Sequence, residues 1–464
     1  MTQECYIENA SGKITPVIPI IKDDFTTWIK TQPERIKNLT QANKFTALKN
    51  TYCLVLDKAG NLESVLLGIA TKNDYLTFGL LPQLLPAGKY QIKANNFTAK
   101  QLELAAIGWG LGSYLFAKYK ENAISKAKLF LPKNKGSKYI NNIVAAIHLV
   151  RDLINTPVCD MHPNALALIA KKIAKSHQAK FKEYSGKALM RNFPAVYAVG
   201  KASINQPKLI KFDWGKKTHK KVVLVGKGVC FDSGGLNIKS PESMLLMKKD
   251  MAGAAHALGL AKVIMSENLP IQLSVIIPIV ENVISSNSYK PGDVIKTRSG
   301  QTIEVLNTDA EGRVILADAL TLACKEKPNL LIDFATLTQA ARAALGPAIP
   351  AIFSNDNAIC DKILDCVSKE QEAAWRMPLY QPYAEFIKSR VADLANIATA
   401  GYLGAGAIIA ALFLQKFVDN NLSWVHFDMS AYNFSATPGK AVGGEAMCLR
   451  GLFRYLLEYF TKES

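Results

Sequence analysis

From Pro163 onward the chain alternates helical and β-rich runs, and no other feature narrows its fold as much. Helical spacing covers 163–177, 251–265, 314–326 and 406–418. The β-rich runs are 221–226 (KVVLVG), 271–280, 302–306, 330–336 (LLIDFAT) and 423–429 (SWVHFDM). Such alternation predicts an α/β fold with a central mixed or parallel sheet flanked by helices on both faces. The chain has 464 residues, long for one core and normal for two domains. Upstream, TYCLVLD (51–57) and LESVLLGIA (62–70) flank Lys58-Ala59-Gly60-Asn61, a hairpin signal. A helical stretch from Thr98 to Lys120 and a strand-like AKLFLPK (127–133) complete a small α/β unit. After the polar break 133–137, a helix over 138–154 carries Ile140, Ile143, Val144, Ile147, Val150 and Ile154 at helical spacing, and Asn155-Thr156-Pro157 ends it. The expected division is a smaller N-terminal α/β domain at 1–136, a connecting helix at 137–156 and a larger domain at 157–464.

Within the larger domain, Asn307-Thr308-Asp309-Ala310-Glu311-Gly312-Arg313 places two carboxylates and a guanidinium within five positions, between a strand-like and a helical run. Strand C-ends in α/β sheets are where ligands bind. If the chain stays extended there, all three side chains point to one side. Two adjacent anions on one face repel unless a cation lies between them, and a divalent metal answers that. A solvated acidic turn is the other reading.

A second dense stretch, Lys227-Gly228-Val229-Cys230-Phe231-Asp232-Ser233-Gly234-Gly235, follows the strand 221–226, with Lys239 four residues past the glycine pair. It lacks the GxxxxGK[ST] spacing of a phosphate loop. Asp250 opens the next helix, where an acidic residue is also ordinary because it favours the helix dipole. The sum is more telling than the parts. Asp232, Asp250, Asp309 and Glu311 all fall at strand ends or a helix start, with Lys227, Lys239 and Arg313 among them. Four carboxylates balance two divalent cations, leaving Lys239 and Arg313 free to stabilise an anion that forms during reaction. The six histidines form no HExxH-like pair, and His256, six residues past Asp250, reads as structural or solvated.

The formal net charge is +18. Residues 1–150 hold 19 Lys+Arg against 10 Asp+Glu and the rest 37 against 28, so the excess is shared evenly and there is no basic tail. The densest run, Lys208, Lys211, Lys216, Lys217, Lys220 and Lys221, suits a solvated strand edge or loop better than a nucleic-acid footprint. The eight cysteines form no CxxC pair and read as reduced thiols. The first residues show no apolar signal segment, and the longest apolar run, Leu403 to Leu414, is too short for a bilayer. A cytoplasmic protein without membrane association is expected.

The same motifs carry a resemblance. GKGVCFDSGG (226–235), the following Lys239, KKDMAGAA (248–255) and NTDAEGR (307–313) resemble the signature of the leucine aminopeptidase (cytosol aminopeptidase) family, in matching order and spacing. DFATLT (333–338), WRMPL (375–379) and GAGAIIAALFL (404–414) extend it over roughly Leu149 to Leu452. The resemblance implies a di-metal aminopeptidase that releases N-terminal residues from short peptides with a free N-terminus. Lys227, Asp232, Asp250, Asp309 and Glu311 would hold two divalent ions per subunit, Mn or Zn above all, with Asp232 and Glu311 bridging. Lys227 would then be a neutral amine, a state that metal charge favours. A metal-bridged water would attack the peptide carbonyl and one metal would bind the substrate's α-amine. Lys239 would stabilise the oxyanion, and Arg313 would hold a bicarbonate acting as base. Met247 and Leu337 should line the substrate pocket. The family pattern is also a homohexamer.

Two departures from that pattern stand out. Gln339 replaces the Gly that usually follows ATLT and would narrow the substrate groove. The tail from Ala431 to Ala446, in a region that helps line the side-chain pocket, differs from that of the best-known members, so a preference for Leu does not carry over. Two rival functions are weak DNA binding, which some family members combine with peptidase activity and the basic charge invites, and a di-metal phosphoesterase, whose sites are usually richer in His.

Overall fold

The computed structural model describes residues 4–9, 11–120, 126–399 and 404–461. These fall into two compact units. The first comprises 1–148 with 433–442, and the second 149–432 with 443–464.

The first unit is built on a six-stranded sheet in the order Tyr6–Ile7, Ala127–Phe130, Gly88–Ile92, Ile14–Ile21, Leu62–Ile69, Tyr52–Leu56. The last two strands pair antiparallel around the turn at 57–61, whose Asp57 side chain accepts from the Ala59 and Asn61 amides. The helix expected to reach Lys120 spans only Ala99–Gly112. Thr98 and Gln101 start it with a capping box, and most of its turns are buried. Residues 114–120 keep apolar and aromatic side chains without helical structure, so composition there overstated the helix.

The second unit holds a nine-stranded mixed sheet. Its main path runs Trp375–Arg376, Ala351–Ser354, Trp424–Asp428, Leu330–Ala335, Lys221–Gly226, Gln272–Asn282, Lys208–Trp214, Lys180–Ser185. Trp424–Asp428, Leu330–Ala335, Lys221–Gly226 and Gln272–Asn282 form a parallel centre, flanked by antiparallel neighbours. The central strands are buried on both faces, which is why their interiors are rich in Val, Ile and Leu, with VVLV (222–225) the unbroken case. Val223, Val225, Leu331 and Ala335 pack in one cluster with Val314, Ile315 and Leu316 of the helix Glu311–Lys325. Gly226 is on the opposite pleat from Val225. A Cβ there would lie 2.6 Å from the Ala254 Cα, so the helix Ala252–Ser266 covers that other face at backbone contact.

Several expectations shift in the structure. A further strand, Gly228–Asp232, continues past Lys227 and pairs parallel with Gln272–Asn282, so the glycine-rich stretch is partly sheet. The lysine-rich run begins as a strand inside the sheet, Lys208–Trp214, rather than at its edge. There Lys208 pairs with Glu183, and Lys211 with Asp213 and Glu326, while Lys221 also meets Glu326. All eight cysteines are free thiols, and only Cys159 is exposed. Leu403, the first residue of the longest apolar run, lies outside the described residues, and the run continues as the helix Gly406–Gln415. Among the described residues no helix is long and apolar enough to cross a membrane.

Candidate functional site

The parallel strands deliver the site at their C-terminal ends. Lys227 follows Lys221–Gly226, Asp232 closes Gly228–Asp232, Thr336 and Leu337 follow Leu330–Ala335, and Met429 and Ser430 follow Trp424–Asp428. Asp250 lies in the 3-10 turn Met247–Met251 just before the helix it was expected to open. Asp309 lies in the turn Thr308–Ala310 and Glu311 begins the helix Glu311–Lys325. The chain from Asp309 to Arg313 is therefore helical, not extended. The three side chains reach the same cavity through the curl of the turn rather than by a period of two. The Asn307 side chain caps that turn, accepting from the Asp309 amide at 2.7 Å.

Residues distant in sequence stitch the loops together. The Thr308 hydroxyl donates to the Gly234 carbonyl at 2.6 Å and accepts from the Asn237 amide at 2.8 Å. Asn282 donates to Asp232 Oδ1 and to the Thr308 carbonyl, and the buried Tyr289 hydroxyl donates to that carbonyl as well. Gly234 and Gly235 take positive φ values of 87° and 65° in the turn after Asp232, a region that favours glycine.

All the expected metal-holding residues meet. Lys227 Nζ lies 2.8 Å from Asp250 Oδ1 and Oδ2 and from Glu311 Oε1, and it donates to the Thr336 carbonyl at 3.1 Å. Lys239 Nζ lies 2.9 Å from Asp232 Oδ2 and also pairs with Asp309. Oxygens of Asp232, Asp309 and Glu311 lie within 4.8 Å of one another. Glu311 Oε2 is buried there without a hydrogen-bond partner. Four carboxylates against two ammonium groups leave an excess of negative charge. Burial, then the Asp232 charge, push the Asp309 carboxyl up to about 6 and hold Glu311 well above its ordinary value. Burial opposes the charge on Lys227 and Lys239, but the surrounding carboxylates outweigh it and raise both. An oxygen-rich, electron-rich cluster with a buried, unpartnered carboxylate oxygen fits divalent cations.

Arg313 is buried at the same cavity and donates from Nη1 to the Asn396 carbonyl at 2.7 Å. Burial lowers its guanidinium to about 10, against the opposing pull of Glu311 and Asp428, so it stays charged at neutral pH. The cavity encloses about 300 Å³. Met247 and Leu337 line it, and so does the exposed Gln339. Of the divergent tail the structure gives a different account. Met429 and Ser430 line this cavity, but residues 431–446 do not, and 433–442 belong to the other compact unit. His256 is buried and structural, hydrogen-bonded to the Ala252 carbonyl and the Met447 amide.

Sequence reasoning did not single out Asn282, Asn396, Thr336 or Lys249. Thr336 donates to Asp250 Oδ1 at 2.7 Å, and Asn396 holds the Leu306 and Asn307 amides. Thr336 and Lys249 sit inside recognisable motifs and could have been found. Asn282 and Asn396 lie in stretches with no local signal.

The cytosol aminopeptidase family, catalytic domain, matches residues 148–453. The chain belongs to the cytosol aminopeptidase family. The N-terminal domain of the M17 aminopeptidases matches residues 15–132 as well. A probable cytosol aminopeptidase of Roseiflexus castenholzii is 39% identical over 348 residues, 71% of this chain and 70% of that protein. Among solved structures, the cytosol aminopeptidase of Coxiella burnetii is 48% identical with a TM-score of 0.96, covering 98% of this chain and 99% of that one. The bottromycin maturation enzyme BotP, solved in complex with Mn, is 26% identical with a TM-score of 0.87, covering 96% and 99%. As a cytosol aminopeptidase family member the chain is a metal-dependent peptidase, and its mixed α/β sheet with a separate N-terminal domain is the family's architecture.

Proposed function

We propose that this aminopeptidase removes the N-terminal residue of short peptides using two divalent ions per subunit, Mn or Zn, held by Lys227, Asp232, Asp250, Asp309 and Glu311. The observation that carries this is the buried, unpartnered Glu311 Oε2 within the Asp232–Asp309–Glu311 cluster. When bound, the ions supply Lewis-acid polarisation of the scissile carbonyl and activation of a water. Thr336 fixes Asp250 by a hydrogen bond, and the Gly234 amide and Asn282 fix Asp232, so the cluster is organised before anything binds. Lys239 donates to the oxyanion that develops on the attacked carbonyl. Arg313, anchored on one side by Asn396, suits a planar anion such as bicarbonate, which its guanidinium can hold by paired hydrogen bonds. Met247 and Leu337 contact the substrate. The family resemblance supports a homohexamer, and the relatives' name a cytosolic location.

Two assays test the reading together. Chelation should abolish hydrolysis of a leucyl anilide, and Mn or Zn should restore it; full activity in metal-stripped protein would falsify the metal mechanism. Acetylating the substrate's N-terminus should remove turnover. Equal cleavage of acetylated and free peptides would instead describe an endopeptidase.

A further inference from the structure

Lys249 and Ser430 line the cavity without serving any role given above. Lys249, in the turn beside Asp250, is buried, and its Nζ donates to the Ser430 carbonyl at 3.1 Å. Among the described residues it makes no ion pair. The Ser430 hydroxyl is itself buried with no hydrogen-bond partner. Arg342, on the helix Gln339–Leu345, lines the same cavity and likewise makes no ion pair among the described residues. The nearby carboxylates are committed elsewhere. Asp250 is taken by Lys227 and Thr336, and Asp428 by the Leu337 and Thr338 amides and the Thr338 hydroxyl.

A buried ammonium with one carbonyl for company is costly unless a counter-charge reaches it. Met247 and Met429 line the same cavity and offer apolar surface. Thioether surface, a buried cation and an unpaired hydroxyl together suit a short methylene chain that ends in a carboxylate. We propose that Lys249, assisted by the Ser430 hydroxyl and by the field of Arg342, makes this enzyme select substrates bearing a carboxylate. The inference rests on the aminopeptidase reading. The carboxylate has two possible sources, the side chain of an N-terminal Glu or Asp, or the C-terminus of a dipeptide.

The test compares kcat/KM for matched pairs with the metal-loaded enzyme. Glutamyl and glutaminyl anilides differ only in the side-chain acid, whereas Leu-Gly and Leu-Gly amide differ only in the C-terminal one. The acid should be preferred in one pair by about tenfold to a hundredfold, the worth of one charge-assisted hydrogen bond. That pair identifies the source. Lys249→Met should bring the ratio close to one, Lys249→Arg should keep part of it, and Ser430→Ala should reduce it. Because only ratios are read, a general loss of activity in a variant does not mimic the effect. If Lys249→Met does not fold, Ser430→Ala carries the test, and an unchanged ratio there overturns the proposal. A wild-type enzyme that cleaves leucyl anilide but prefers neither acid overturns this inference and leaves the aminopeptidase reading standing. Failure to cleave any free aminoacyl anilide overturns the reading beneath it.

Discussion

At the residue scale, the cluster assigns different work to cations that look alike in sequence. Lys227 is enclosed by Asp250, Glu311 and the Thr336 carbonyl, whereas Lys239 bridges Asp232 and Asp309 at the cavity wall. Lys239→Ala should lower turnover about a hundredfold to a thousandfold, as loss of an oxyanion donor does, with little change in metal content. Gly312 offers a sharper probe of Lys227. A Cβ at Gly312 would lie 2.6 Å from Lys227 Cε and 2.8 Å from Nζ. What it meets is the buried, ion-paired end of Lys227 rather than backbone, so Gly312→Ala should displace the amine from Asp250 and Glu311. Metal analysis and thermal melting of both variants check this. Gly312→Ala should lose metal and activity and melt at a lower temperature, because it disturbs a buried ion pair and gives up the bound ions, and Lys239→Ala should lose activity alone. Metal loss in Lys239→Ala would mean that Lys239 is structural to the cluster.

At the element scale, the helix Ala252–Ser266 is buried almost all round, and His256 ties its first turn to the loop at Met447. The ring receives the Met447 amide at Nε2, so the proton is on Nδ1, which faces the Ala252 carbonyl at 2.7 Å. Burial lowers its pKa from 6.5 to about 4. The unfolded chain therefore binds the extra proton first. Stability from this group is complete above pH 6.5 and is lost as pH falls toward 4, by about 3 kcal/mol. Denaturant unfolding at pH 7 and pH 4 should show wild type losing about that much more than His256→Gln. Equal losses would mean that the ring protonates freely in the folded state.

At the scale of the whole molecule, the net charge of +18 invites the idea of a nucleic-acid surface. Half of the densest lysine run argues otherwise, because Lys208, Lys211 and Lys221 are held by Glu183, Asp213 and Glu326, which leaves Lys216 and Lys217 exposed on the loop that follows the strand. Paired lysines release few counterions from a duplex. Binding to duplex DNA should be weak at physiological salt and show a shallow salt dependence in fluorescence anisotropy titrations. An affinity that falls by about a thousandfold between 50 and 200 mM salt would reveal six or more phosphate contacts and a basic face of functional weight.

Local sequence determined much of this protein. The strand Lys221–Gly226 matches the run KVVLVG residue for residue, because a central parallel strand must be apolar on both faces and leaves an unbroken pattern. Asp232, Asp250, Asp309, Glu311, Lys227, Lys239 and Arg313 were legible because charged residues crowd into short motifs at element ends. Other features depended on contacts that no local window contains. Asp309 and Glu311 converge through a helical turn that the alternating residues before it do not announce. Gly228–Asp232 is a strand only because Gln272–Asn282 extends far enough to pair with it. Lys208–Trp214 is polar enough for an edge but lies inside the sheet, its charges met by acids from elsewhere. Asn282 and Asn396 reach the site across 50 and 89 residues of chain, to Asp232 and Asn307. Composition and period fix which residues can be buried and in which element. Which carboxylate meets which lysine is decided by how the sheet is assembled, since hydrogen bonds between distant segments exist only once the strands have paired.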